Sequence, residues 1–209
     1  MTSPKAGVHL APFGNFGHVT DWVFDLDNTL YPAECDLFAE IDTRMTDFVS
    51  RLLELPPLEA RKVQKHYYAT YGTTLSGLMK VHKIDPADFL HHVHDIDLSP
   101  LPDLPVLRQA ISALPGRKFV YTNGSRRHAE RVVDKMGLED LFHGSFGIED
   151  AEYTPKPNQS SYDRFCALHD VPAQGNLLRG SRAQSPSSQG YGLHDGSGAL
   201  RKGLEPRAD

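Results

Sequence analysis

A short apolar run, Val19 to Phe24, ends in Asp25-Leu26-Asp27, and no other feature limits the fold as strongly. The run is too short for a helix of its own, and Trp22 and Val23 favour extended backbone, so it reads as a buried strand. Its two acids then stand at the strand's carboxyl end. Alternation along a strand sends residues i and i+2 to one side, which lets both carboxylates share a pocket. Adjacent carboxylates repel unless a cation joins them.

Past this strand the hydrophobic period changes. Leu37, Ile41, Met45, Phe48 and Leu52 recur at steps of three and four, one face of an amphipathic helix that stops before Pro56-Pro57. Two further helical pieces run through Leu58 to Tyr68 and Leu75 to His82, and Asp85-Pro86 opens another as N-cap and N1 proline. Residues 33–98 therefore read as helical throughout. Ser99-Pro100-Leu101-Pro102 marks a linker, because each proline pushes its predecessor out of the helical region.

Beyond the linker the chain alternates. Lys118 to Thr122 is a strand candidate, Ser125 to Met136 a helix ended by Gly137, Gly144 to Ile148 a strand, and Asn158 to His169 a helix. Strand, helix, strand, helix implies a parallel sheet. The whole predicts an α/β fold, a doubly wound parallel sheet interrupted after its first strand by a helical insertion. In such sheets ligands bind at the carboxyl ends of the strands.

Composition excludes several classes. The 209 residues allow at most two compact modules, and 39% hydrophobic with 23% charged residues is ordinary for a soluble globular chain. A formal net charge of -5 offers no basic footprint, so neither nucleic acid nor an anionic membrane is an expected partner. Residues 1–17 contain no apolar run long enough for a signal core, and no later run could span a bilayer, which points to the cytoplasm. Cys35 and Cys166, two cysteines far apart, form neither a disulfide framework nor a metal cluster and read as core thiols. His91, His92 and His94 lack a second cluster at ligand spacing, so they read as a solvated helix face with some packed rings.

The string Asp25-Leu26-Asp27-Asn28-Thr29-Leu30-Tyr31 fans two carboxylates and a hydroxyl towards one pocket. It matches the first motif of the haloacid dehalogenase (HAD) superfamily. Tyr121-Thr122-Asn123-Gly124-Ser125 resembles the second motif, whose hydroxyl and backbone N–H groups bind phosphate, and a helix start there adds a favourable dipole. Thr154-Pro155-Lys156-Pro157 resembles the third, with a lysine that neutralises nucleophile and phosphate and is held between two prolines. Any one string is also an ordinary turn or surface lysine; three in the correct order are not. The resemblance runs to about Gly175.

Carried over residue by residue, the resemblance implies a Rossmann-like core at 19–32 and 99–175 and a C1 cap at 33–98. It implies catalytic roles for Asp25, Asp27 and Lys156, phosphate binding by Thr122 and Asn123, and magnesium held in part by Asp25 and Asp27. Asp25 is expected to attack phosphorus, while Asp27 protonates the leaving oxygen and later deprotonates water. The acid at Asp27 separates phosphatases from the dehalogenating relatives, which lack it. The cap string from Tyr67 to Leu78, with Val93-His94-Asp95, is similar to the pyrimidine 5'-nucleotidases. A nucleoside monophosphate is thus the expected substrate, with sugar phosphates or phosphoglycolate as the alternative. The tyrosines could stack on a base or fill the cap's core.

The pattern breaks after Gly175. The family's fourth motif is an acidic pair that supplies another magnesium ligand, yet no such pair follows Asp170. Glu149-Asp150 follows a different strand, about 10 Å from Asp25 at two strand spacings. Residues 176–209 are rich in Gly, Ser, Gln and Arg without periodicity and read as a disordered tail. Back-translated from the second codon base, the stretch from Asn176 permits Thr, Phe, Phe, Glu, Asp, Leu, Ala, Arg, Asn and Leu, the missing strand and acids. A shifted reading frame is the expectation, a genuine polar tail the alternative. A shifted frame predicts missing C-terminal core strands, weakened magnesium binding, and a chain that at most binds phosphate or turns over slowly.

Overall fold

The computed structural model describes residues 19–172 and the backbone of 177–180. Strand β1, Asp21–Phe24, pairs in parallel with β2, Arg117–Tyr121, which pairs in parallel with β3, Gly144–Phe146. On its other side β1 pairs with β4, Leu177–Gly180, giving the order β3-β2-β1-β4. β4 supplies one strand beyond β1, within the stretch that the sequence reads as irregular. A buried central strand with one bare edge leaves a row of backbone donors and acceptors unmatched, and pairing with 177–180 satisfies them. Residues 181–209, where the rest of the expected tail falls, lie outside those described, as do residues 1–18.

Helices α1, Leu37–Leu53, α2, Pro57–Tyr71, α3, Thr74–His82, and α4, Pro86–Val93, fill the stretch between β1 and the linker. Each starts or stops as its sequence dictates: Pro57 and Pro86 occupy first turns, the Asp85 carboxylate accepts from Ala87 N at 2.9 Å, and the Thr73 hydroxyl accepts from Ser76 N at 3.0 Å. Leu37, Ile41 and Val49 of α1 turn inward to meet α2 and α4. The prolines at 100 and 102 lie in irregular chain, and α5, Pro105–Ser112, then leads into β2.

The sheet carries apolar side chains on both faces, as parallel sheets do. Val23, Phe119, Tyr121 and Phe146 pack under α7, Gln159–His169, through Phe165. On the other face Val120 meets Ala129, Val132 and Val133 of α6, Arg126–Lys135, in a core continuous with the helical insertion. Helices on opposite faces make the sheet doubly wound, so the α/β fold stands as the sequence implies. No helix of the described residues is long and apolar enough to cross a membrane. Cys35 and Cys166 are free, partly buried thiols packed against the cores.

Candidate active site

The ladder ends at Phe24, but alternation continues one step past it. Leu26 is fully buried while Asp25 and Asp27, on either side, keep 24% and 20% of their side-chain surface. Asn28 then takes a φ of 57°, a left-handed conformation that asparagine tolerates, and Leu30 N bonds back to Leu26 O at 3.0 Å. This turn holds both carboxylates at the end of β1.

The third candidate residue comes from far along the chain. Lys156 Nζ lies 2.6 Å from Asp25 Oδ1 and donates to Tyr121 O at 2.8 Å, with only 9% of its side chain exposed. Thr29 Oγ1 donates to the second Asp25 oxygen at 3.3 Å. The Asn123 amide grips the loop that carries the lysine: its Oδ1 accepts from Lys156 N at 2.8 Å and its Nδ2 donates to Lys156 O at 3.4 Å. Thr122, at the end of β2, donates through Oγ1 to Asp27 Oδ2 at 3.2 Å and accepts from Gly124 N at 2.9 Å. Asp25, Asp27, Thr122, Asn123 and Lys156 thus form one connected group, drawn together by parallel strands whose carboxyl ends lie side by side.

A model of the family described as haloacid dehalogenase-like hydrolase matches residues 23–174. The chain belongs to this family. Phosphate metabolism protein 8 of Saccharomyces cerevisiae is 32% identical over 133 residues, 58% of this chain and 41% of that protein. The chain therefore spans about two-fifths of that relative's length. Among solved structures, a HAD phosphatase from Thermococcus onnurineus superposes with a TM-score of 0.51 at 17% identity, covering 78% of each chain. A HAD hydrolase from Bacillus subtilis bound to magnesium gives 0.46 at 14% identity, covering 78% of this chain and 77% of that one. The likeness to the Thermococcus onnurineus phosphatase is one of fold alone.

Motif reading of the HAD family passes over three side chains that the structure places around Asp27. The Tyr31 hydroxyl donates to Asp27 Oδ1 at 2.6 Å. His128 Nε2, on the first turn of α6, is 3.5 Å from the same oxygen. The ring of His94, at the C-cap of α4, stacks on His128 with centroids 4.4 Å apart and planes 14° from parallel. Of the three histidines expected on a solvated face with some packed rings, His94 is the most buried, 9% exposed, because α6 covers it. Its signal was the Val93-His94-Asp95 string; His128 had none beyond lying three residues after the N-cap Ser125.

Charge follows from these contacts. Burial works to raise the Asp27 carboxyl, but His128 and the Tyr31 hydroxyl outweigh it and bring its pKa down to about 2. Asp27 is therefore ionised at neutral pH. Burial and the Asp27 charge push the Tyr31 hydroxyl far above its ordinary value, so it stays a donor. Burial, with His128 alongside, brings His94 down to about 3.

Magnesium, which the family resemblance implies, fits these residues poorly. All four carboxylate oxygens of Asp25 and Asp27 already have protein partners. No group of three His, Cys, Asp or Glu side chains able to hold a metal occurs among the described residues. The sequence offers no Asp or Glu between Asp170 and Asp195, the stretch that follows β4 and should supply another carboxylate. Glu149 and Asp150 are spent elsewhere, on Arg126 N at 3.1 Å and on Gly147 N at 3.0 Å.

Proposed function

We propose that the chain carries the phosphoryl-transfer centre of a phosphomonoesterase, most specifically a pyrimidine nucleoside 5'-monophosphate phosphatase of the cytoplasm. The observation that supports it is the 2.6 Å contact of Lys156 Nζ with Asp25, beside an Asp27 already hydrogen-bonded by Thr122. In this reading Asp25 Oδ attacks phosphorus, an acyl–phosphate bond forms and the ester P–O bond breaks. Asp27, which takes up a proton from solvent when the phosphate's negative charge is pressed against it, delivers that proton to the departing alkoxide, then takes one from the water that hydrolyses the intermediate. Lys156 offsets the charge of nucleophile and phosphate, and Thr122 with Asn123 would receive the phosphate oxygens. A curated relative named for phosphate metabolism supports phosphate as the recognised group.

Residues 33–98 act in this reading as the cap that excludes water and selects substrate, and residues 176–209 as a stretch in a shifted frame. The family resemblance implies magnesium, which the described residues fit poorly, and no step above is assigned to it. The scarcity of carboxylates after Asp170 favours a second reading, a chain that binds phosphate but turns over slowly or not at all.

The test is phosphate release from UMP and CMP across a magnesium titration, for the 209-residue chain and for a chain with the alternative frame restored. Release by the restored chain alone supports the shifted-frame reading. Equal release by both shows that another group replaces the missing carboxylate. In the active chain Asp25→Asn should lower kcat by roughly 1,000-fold or more; an unchanged rate would remove Asp25 as nucleophile.

A further inference from the structure

His128 is 1% exposed, and neither ring nitrogen has a hydrogen-bond partner in this structure. An apolar ring would fill the same space without the cost of leaving polar atoms unmatched. Core packing alone is therefore a poor account of a histidine here. The ring's orientation is strongly held. Its backbone N donates to the Ser125 hydroxyl at 3.1 Å, and one face is covered by the His94 ring. His94 is held in turn by a 3.0 Å contact of Nδ1 with Ser125 Oγ, and Arg131 of α6 donates to its carbonyl at 2.7 Å and to Ile96 O at 3.2 Å. The effect is to aim Nε2 at Asp27 Oδ1 and stop it 3.5 Å short. That oxygen is already occupied at 2.6 Å by Tyr31.

Catalytic hydrogen bonds are often long in ligand-free states and close when substrate is engaged. We propose that His128 is a positioning residue for Asp27, closing to hydrogen-bond distance in the engaged state, and that His94 sets its position from the helical insertion. The proposal rests on the phosphatase reading for the role of Asp27. It makes the end of α4 a mechanical link: movement of the insertion shifts His94, the stacked His128 follows, and the acid is oriented only when the insertion is seated.

The experiment compares His128→Phe, which keeps the ring and the stack, with His128→Gln, which restores a donor near Nε2. Both are assayed in whichever form of the chain is active, on UMP and on p-nitrophenyl phosphate, whose leaving group needs little protonation. His128→Phe should lower kcat/KM for UMP by roughly 100-fold and for the aryl ester by far less, and Gln should recover part of the loss. Equal losses on the two esters, or none, would overturn the proposal. A parent chain that turns over neither ester instead defeats the phosphatase reading, and imidazole nitrogen NMR then decides this proposal. Asp27→Asn should move the His128 ring signals and leave those of His169, on the other face of the sheet, in place. Unmoved His128 signals would refute it.

Discussion

One charged contact at the site, between Lys156 and Asp25, behaves differently from surface ion pairs. Lys156 and Asp25 are both mostly covered, so their attraction is less screened than that of exposed partners, which contribute about 0–1 kcal/mol. A double-mutant cycle with Lys156→Met and Asp25→Asn should give a coupling energy above about 1 kcal/mol in urea melts; a value near zero would make the pair a surface one. His94 provides the pH test. Unfolded, it titrates near its ordinary 6.5; folded, it stays neutral down to about 3. The unfolded chain therefore binds the extra proton in that window, and stability falls as pH drops through it. Between pH 6.5 and 5 the loss is about 2 kcal/mol. Burial also lowers His169, which adds loss of the same sign. Replacing His94 by Phe should flatten the fall, read as melting temperature against pH.

At the scale of elements, the close approach of α2 and α3 depends on one glycine. A Cβ at Gly77 would stand 2.5 Å from Cβ and Cγ of Tyr67, whose hydroxyl bonds His82 at 2.7 Å. Gly77→Ala should destabilise by about 1–3 kcal/mol, through overpacking rather than loss of a contact. A melt within experimental error of the parent would show that the two helices separate at little cost. Tyr67 is 8% exposed and belongs to the core, whereas Tyr68 is 53% exposed. Of these two adjacent tyrosines, either of which could stack on a base, one is packing. Helix α6 depends on Ser125, whose hydroxyl caps its first turn and meets His94. Ser125→Ala should cost about 1–2 kcal/mol in thermal melts, and more than an N-cap in isolation because His94 loses a partner too.

For the whole molecule the sheet's far edge decides the outcome. β1 is central only because 177–180 pair with it. Ending the chain at residue 175 should expose that edge and raise light scattering on warming; equal scattering would mean that β4 contributes little. Most helix boundaries, the linker prolines and three of the four strands were legible in the sequence to within two or three residues, because caps, prolines and hydrophobic period are local signals; α5, just after the linker, was not read. β4 was not: Leu177-Leu178-Arg179-Gly180 has no period of its own, and its strand arises from the unmatched edge beside it.

Local chemistry determined most of the elements and the parallel sheet, and the family resemblance of three short strings picked out five candidate site residues, Asp25, Asp27, Thr122, Asn123 and Lys156. Tertiary structure alone decided what surrounds them. Tyr31, His94 and His128 converge on Asp27 from a turn, an inserted helix and a core helix, and no spacing along one chain announces a meeting across 97 residues, from position 31 to 128. Their protonation is likewise a property of the fold, because burial and neighbouring charge exist only once the insertion lies against α6.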